Sequence, residues 1–324
     1  MLWVSLGVKF TPIASPLTRE GHRRGLFLPL SPSAARSSST CRPCRCTKSE
    51  EETFQVLTAV KTRYNDILVV DTPKSRMLLL DSTHNVHSIL QKGDEKWTGS
   101  YWVSAENDYR DEFASLPPIA PEGPIAIYGL GGGTAAHLML DVWPSLQLEG
   151  WEIDEILIDK AREYFELSNL ERCNEVGGRL QVHIDDAFSP IQIPPKGYAG
   201  IIIDLFSDGK VLSQLQEVEI WLKLSDRLMP DGRLMVNCGG VSESSTDGKT
   251  HHQSMDDTWI QNSTIKALAT AFPGQVHWKR TPESQGQNYL ALTGPLPDLT
   301  SWSATVPGCL SEAVKQWRTC KPFP

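Results

Sequence analysis

No stretch of this sequence approaches the roughly 18 to 20 consecutive apolar residues needed to cross a bilayer. The most apolar segments, around Ile67–Val70 and Ile201–Ile203, have the length of strands, so a soluble chain with no membrane partner is expected. A basic excess is missing too. The net charge is -8, which leaves nothing to neutralise a run of phosphates, so no nucleic-acid partner is expected and the partner is instead a small-molecule or protein acceptor. Cys41, Cys44 and Cys46 lie close together, but no second Cys-x-x-Cys pair follows. A closed zinc site wants four ligands in paired spacing, so no metal is expected. Cys173, Cys238, Cys309 and Cys320 are scattered and imply no disulfide framework.

Acidic residues are nearly absent from the first 48 positions, where Glu20 stands alone against Lys9, Arg19, Arg23, Arg24, Arg36, Arg42, Arg45 and Lys48. Ser31, Ser33, Ser37, Ser38, Ser39 and Thr40 add hydroxyls. This is the profile of an organelle transit peptide, and the serine content points to the chloroplast stroma rather than the mitochondrion. The same composition also suits a disordered tail without an address.

Beyond it, Phe54–Val60, Ile67–Asp71 and Ser75–Leu80 read as strands of a small β appendage, followed by a helix over Tyr101–Leu116 that Pro117 and Pro118 close. From Pro124 the pattern alternates. Strands are predicted over Ile125–Tyr128, Leu148–Ile153, Arg179–Ile184, Tyr198–Ile203 and Arg233–Cys238, and helices over Ala135–Val142, Leu212–Leu228 and Asp257–Phe272. Gln275–Lys279 and Tyr289–Thr293 close the sheet as an antiparallel pair, since Arg280–Asn288 cannot hold a crossover helix. The expected fold is α/β, a doubly wound and mostly parallel seven-stranded sheet with an N-terminal β appendage. Its parts are a transit peptide (1–48), the appendage (49–118), the sheet domain (119–296) and a tail (297–324) with a helix over Leu310–Trp317.

The chemistry concentrates at the predicted strand ends. Gly129-Leu130-Gly131-Gly132-Gly133-Thr134 follows the first strand, and glycines there let the backbone turn tightly and approach a ligand. Glu152 ends the second strand about 20 residues on, where a carboxylate can accept hydrogen bonds from ribose hydroxyls. Thr134 replaces the last glycine of the dinucleotide pattern, which weakens a nicotinamide reading. Asp185, Asp186 and Ala187 end the third strand, where a carboxylate can receive an adenine amino group. Asp204 ends the fourth and is placed to orient or deprotonate a nucleophile. His251 and His252 form a loop pair with no third metal ligand.

The order Gly-rich turn, Glu152-Ile153-Asp154, Asp185-Asp186, Ile203-Asp204 and Pro230-Asp231-Gly232 resembles the class I S-adenosylmethionine-dependent methyltransferases. The strands within Ile67–Leu80 and Tyr109-Arg110-Asp111-Glu112-Phe113-Ala114-Ser115-Leu116-Pro117 resemble the spermidine synthase branch. The resemblance covers about residues 56–295. It implies S-adenosylmethionine or its decarboxylated form as cofactor, held by Gly129, Gly131, Gly133, Glu152, Asp185, Asp186 and Ala187, with Asp204 and Tyr109 catalytic. It also implies a homodimer built through the N-terminal strands. Three departures bear on the activity. Gly132 stands where spermidine synthases carry the Asp that receives the aminopropyl amine, Ser207 stands where they carry a second catalytic-loop Asp with Asp208 displaced by one, and Thr281–Gln287 has no tyrosine. A methyltransferase on an unidentified acceptor is the leading expectation, an aminopropyltransferase of polyamine biosynthesis the alternative, and a silent binding protein the third.

Overall fold

The computed structural model describes residues 54–83, 85–94, 97, 109–189, 193–240, 255–281 and 288–321. The first 53 residues, with the expected transit peptide and Cys41, Cys44 and Cys46, the first half of the expected Tyr101–Leu116 helix, His251, His252 and nearly all of Thr281–Gln287 lie outside them.

The N-terminal strands β1 (Gln55–Lys61), β2 (Asp66–Asp71), β3 (Ser75–Leu79) and β4 (Ser88–Gln91) form an antiparallel sheet in that order. Alternation along β2 buries Ile67 and Val69, which pack with Leu78 of β3 against Leu157 and Phe165. β4 was not anticipated, because Ser-Ile-Leu-Gln is too short to show alternation.

After α1 (Tyr109–Glu112) and two 3-10 turns, Phe113–Ser115 and Pro117–Ile119, comes the main domain. Its first half runs β5 (Ile125–Tyr128), α2 (Thr134–Val142), β6 (Gln147–Glu152), α3 (Glu155–Tyr164), α4 (Leu167–Leu170), β7 (Arg179–Ile184) and β8 (Tyr198–Ile203). A two-strand hairpin, β9 (Phe206–Ser207) and β10 (Lys210–Val211), follows. The second half is α5 (Val218–Ser225), β11 (Leu228–Asn237), α6 (Ser263–Ala271), β12 (Val276–Arg280), β13 (Tyr289–Thr293), α7 (Leu299–Thr305), α8 (Gly308–Val314) and β14 (Arg318–Thr319). The sheet order is β14-β12-β13-β11-β8-β5-β6-β7, parallel from β11 to β7 and antiparallel through β13, β12 and β14. The seven expected strands are joined by an eighth, the two-residue edge strand β14.

Both faces are covered. Ile125, Ile127, Ile202, Met235 and Leu290 bury one face against α2, α7 and α8, with Trp302 and Leu310 at the contact. Ile201, Ile203, Val236 and Ala291 bury the other against Trp221 and Leu224 of α5 and Leu268 of α6.

Several predicted elements shift for local reasons. The helix expected over Leu212–Leu228 is divided into a 3-10 turn, Ser213–Gln216, and α5, because Glu217 adopts an extended backbone between them. Pro230-Asp231-Gly232 does not precede the fifth strand but interrupts it, with Asp231 at φ +62° and the β8 register shifted between Leu228 and Arg233. Asn262 divides the helix expected over Asp257–Phe272. Its side chain caps α6 by accepting from Ile265 N at 3.1 Å, while its Nδ2 donates to Cys238 O at 2.9 Å.

Candidate active site

The chain runs outward from β5 through β6 to β7 and then returns to place β8 on the other side of β5. The crevice beyond the carboxyl ends of β5 and β8 is thus a topological switch point, where doubly wound sheets bind ligands. The Gly-rich turn leaves β5 there. Gly129, Gly131 and Gly133 have φ of +87°, +57° and +84°, which other residues rarely adopt. A Cβ on Gly129 would be driven into the backbone carbonyl of Asp204, so the turn lies directly against the end of β8.

Glu152 ends β6 on the other side. Its Oε2 accepts from Gly131 N at 3.1 Å, and its Oε1 from Ile153 N at 3.0 Å and Asp154 N at 3.2 Å. Burial holds the carboxyl above the ordinary glutamate range against the opposing pull of these N–H groups. Asp154 turns the other way and caps α3 through Ile156 N and Leu157 N. Its Oδ2 accepts from Thr62 Oγ1 at 2.5 Å and Asn65 Nδ2 at 2.8 Å, which ties the β1–β2 turn to the main domain. Ile153 between them is exposed and offers an apolar surface beside Glu152.

At the next strand end, Asp185 N donates to Glu152 O at 3.0 Å, which brings these two ends together. Asp185 is exposed, Asp186 half-buried and Ala187 buried. Asp186 Oδ1 accepts from Phe188 N at 2.9 Å and tightens the turn. The described part of the connection to β8 has no helix, and Arg227 holds it instead. Its guanidinium donates to Tyr128 Oη at 3.0 Å, Ala187 O at 2.5 Å and Ser189 O at 2.9 Å. Nothing around Arg227 in the sequence signalled this. An Arg227→Met variant is expected to lose about 2 kcal/mol of stability by denaturant unfolding, since buried carbonyls lose charge-assisted donors, and to become protease-sensitive between Asp185 and Gly197.

Asp204 is half-buried. Its Oδ1 accepts from Asn237 Nδ2 at 2.8 Å, and Asn237 Oδ1 in turn accepts from Asn288 Nδ2 at 2.7 Å and Gly239 N at 3.1 Å. The Gly239 N–H can only donate, so it fixes which end of the Asn237 amide faces Asp204. Sequence reasoning missed Asn237 and Asn288; the one available signal was an uncharged polar residue ending an apolar strand, Leu-Met-Val-Asn. Asp208 is displaced for a visible reason. Asp208 and Gly209 have φ of +50° and +69°, the Asp-Gly turn of a tight hairpin, so Asp208 sits exposed at the tip while Thr83 packs on Gly209. Tyr109 begins α1, and its side chain lies outside the described residues. Among the described residues no cluster of His, Cys, Asp or Glu could hold a metal ion, and no helix is long and apolar enough to cross a membrane.

No family model matches the chain. Over 181 residues it is 25% identical to a probable polyamine aminopropyl transferase of Bifidobacterium longum, a match spanning 56% of this chain but only 36% of that protein. Over 230 residues it is 26% identical to a trans-aconitate 2-methyltransferase of Sinorhizobium fredii, spanning 68% of this chain and 77% of the relative. Among solved structures, a probable spermidine synthase from Corynebacterium glutamicum superposes with a TM-score of 0.56 at 16% identity, covering 82% of this chain and 90% of the other. The chain has the spermidine synthase fold. Its two parts are the antiparallel N-terminal sheet and the class I methyltransferase-like α/β domain with its mainly parallel sheet.

Proposed function

We propose that the protein is an S-adenosylmethionine-dependent transferase, and that the group it moves is a methyl. The carrying observation is the convergence of three features at one switch point: a turn with three left-handed glycines, Glu152 bonded to that turn, and Asp204 on the neighbouring strand. The residues fit the donor. A carboxylate at a strand end suits a ribose diol, the exposed Ile153 suits a purine face, and the Gly129 turn leaves no side chain between them. When bound, the donor supplies an alkyl group on a sulfonium, already activated for in-line displacement. The protein's work is then alignment and exclusion of water. Asp204, oriented by Asn237, holds the acceptor's heteroatom or takes its proton.

Methyl over aminopropyl transfer is favoured by Gly132, which lacks the carboxylate that would repel the tail carboxylate of intact S-adenosylmethionine. One observation favours the second reading. Gly129 N and Leu130 N both donate to Trp151 O, Gly131 N to Glu152, Gly132 N to Ser88 Oγ and Gly133 N to Leu130 O. The N–H groups from Gly129 to Gly133 are therefore engaged within the protein rather than offered to the carboxylate that only intact S-adenosylmethionine carries.

Calorimetric titration with the intact and the decarboxylated donor separates the readings. Tighter binding of intact S-adenosylmethionine is expected, with Asp204→Asn changing that affinity less than about twofold because Asp204 faces the acceptor. Preference for the decarboxylated donor would replace methyl by aminopropyl transfer, and binding of neither would remove the enzyme reading.

A further inference from the structure

Arg227 holds the segment after β7 by its peptide planes. Among the described residues this segment forms no helix, so its carbonyls lack the donors that a helix would supply and need others. The guanidinium provides them: Nη1 donates to Ala187 O at 2.5 Å, and Nη2 to Ser189 O at 2.9 Å and Phe188 O at 3.4 Å. The N–H groups of the first two peptide units are used on Asp186. Phe188 N, in one plane with Ala187 O, donates to Asp186 Oδ1 at 2.9 Å, and Ser189 N, in one plane with Phe188 O, donates to Asp186 O at 3.0 Å.

A trans peptide is rigid, with its C=O and N–H on opposite sides. Holding the two carbonyls on Arg227 therefore holds the two N–H groups on Asp186, and one of them fixes the carboxylate itself. Asp186 is half-buried at the end of β7, next to Asp185, whose N–H is bonded to Glu152 O. The same guanidinium also reaches β5. Nη1 donates to Tyr128 Oη at 3.0 Å, and the cation stands 5.7 Å from the centre of the Tyr128 ring. Tyr128 is the last residue before the Gly129 turn, and its carbonyl accepts from Asp204 N at 2.9 Å. One side chain from the α5–β11 connection is thus bonded to the ends of two strands that border the site.

We propose that Arg227 is a positioning residue of the donor site: through the Ala187–Phe188 peptide it aims the Asp186 carboxylate at the exocyclic amine of the donor's purine. The proposal rests on the reading of the site as a sulfonium-donor pocket in which Asp186 receives that amine. A fixed carboxylate accepts from an amine and repels a carbonyl oxygen in its place. A carboxylate free to turn away from the purine does neither, so loss of Arg227 costs base selectivity as well as stability.

The test compares S-adenosylhomocysteine with S-inosylhomocysteine, in which a carbonyl oxygen replaces the amine, by calorimetry at a temperature where circular dichroism shows each variant folded. The wild-type chain is expected to prefer the adenine compound by about tenfold or more, the effect of one charge-assisted hydrogen bond, and Asp186→Ala to lose that preference. Arg227→Met is expected to reduce it to about threefold or less although Asp186 is still present. Affinity for S-adenosylhomocysteine should fall by about tenfold in either single variant and little further in the double variant, because both residues act through one contact. Arg227→Lys keeps the charge without the planar fork and should show an intermediate preference, which carries the test if Arg227→Met does not fold. Arg227 variants that are destabilised yet keep the wild-type preference would reduce the residue to a structural role and overturn the proposal, as would additive losses in the double variant. A wild-type chain that binds both compounds equally would overturn the Asp186 contact and this proposal but leave the donor pocket standing. One that binds neither would overturn the proposed function too.

Discussion

Replacing Glu152 by alanine is expected to weaken donor binding by about tenfold to a hundredfold, because a hydrogen bond from a ribose hydroxyl to the charged acceptor, worth roughly 1.5 to 3 kcal/mol, is lost. The variant also leaves the N–H groups of Gly131, Ile153 and Asp154 without their carboxylate acceptor, so the turn loses its anchor to β6. The pH dependence of wild-type binding supplies an independent check. Burial raises the Glu152 carboxyl above its ordinary value in the free protein, whereas donated hydroxyls favour the ionised form, so the pKa falls on binding. A group with a lower pKa in the complex releases a proton as the complex forms, and affinity then rises with pH until Glu152 is ionised in the free protein. Calorimetry in buffers of different ionisation enthalpy counts that proton directly. A Glu152→Gln variant should bind weakly with no proton release, and proton release that persists in it would assign the effect elsewhere.

The second large effect is structural. Lys279 Nζ lies 2.6 Å from Glu112 Oε1, with side chains only 2% and 5% exposed. The ammonium also donates to Ala313 O at 2.8 Å and stands over the Trp317 ring at 5.6 Å. One buried cation thus joins β12, α1 and α8, and burial lowers its pKa against the pull of Glu112. Among the described residues Glu112 Oε2 has no hydrogen-bond partner, so this carboxylate depends on Lys279. A Lys279→Met variant is expected to lose about 3 to 5 kcal/mol of unfolding free energy, the cost of leaving a buried charge unpaired. Adding Glu112→Leu should restore much of it. If Lys279→Met and the double variant unfold together, the loss is one of packing rather than of unpaired charge. Because α1 begins at Tyr109, the single variant should also disturb the segment that carries this expected catalytic residue.

The contrast between these two sites shows what a sequence carries. Glu152 was legible because its neighbourhood is local: an apolar strand, a glycine turn before it, and a carboxylate at a fixed interval after that turn. Glu112 and Lys279 are 167 positions apart in a chain whose charged residues otherwise read as a solvated surface, and only the packing of α8 over β12 takes both out of water. Asn237 and Arg227 were missed for the same reason. An asparagine ending a strand and an arginine starting one look like ordinary punctuation until Asp204 and the 187–189 carbonyls are placed beside them. The hairpin after Asp204 is the exception, since Asp208-Gly209 is a local turn signal that sequence reasoning could have used and did not.

Strand periods, the glycine turn and carboxylates at strand ends determined the α/β class, the parallel core with its antiparallel closing pair, and the positions of Gly129, Glu152, Asp186 and Asp204 along the chain. These follow from interactions among residues close in sequence, where backbone sterics and burial alternate with a fixed period. Tertiary structure alone decided why Gly132 is a glycine and why Thr134 is a threonine. Both answers lie on β4, more than forty residues away: a Cβ at position 132 would lie 2.8 Å from Ser88 Cβ, and Thr134 Oγ1 accepts from Ile89 N at 2.8 Å and donates to Ile89 O at 3.1 Å. Close packing there leaves room for a hydroxyl at one position and nothing at the other.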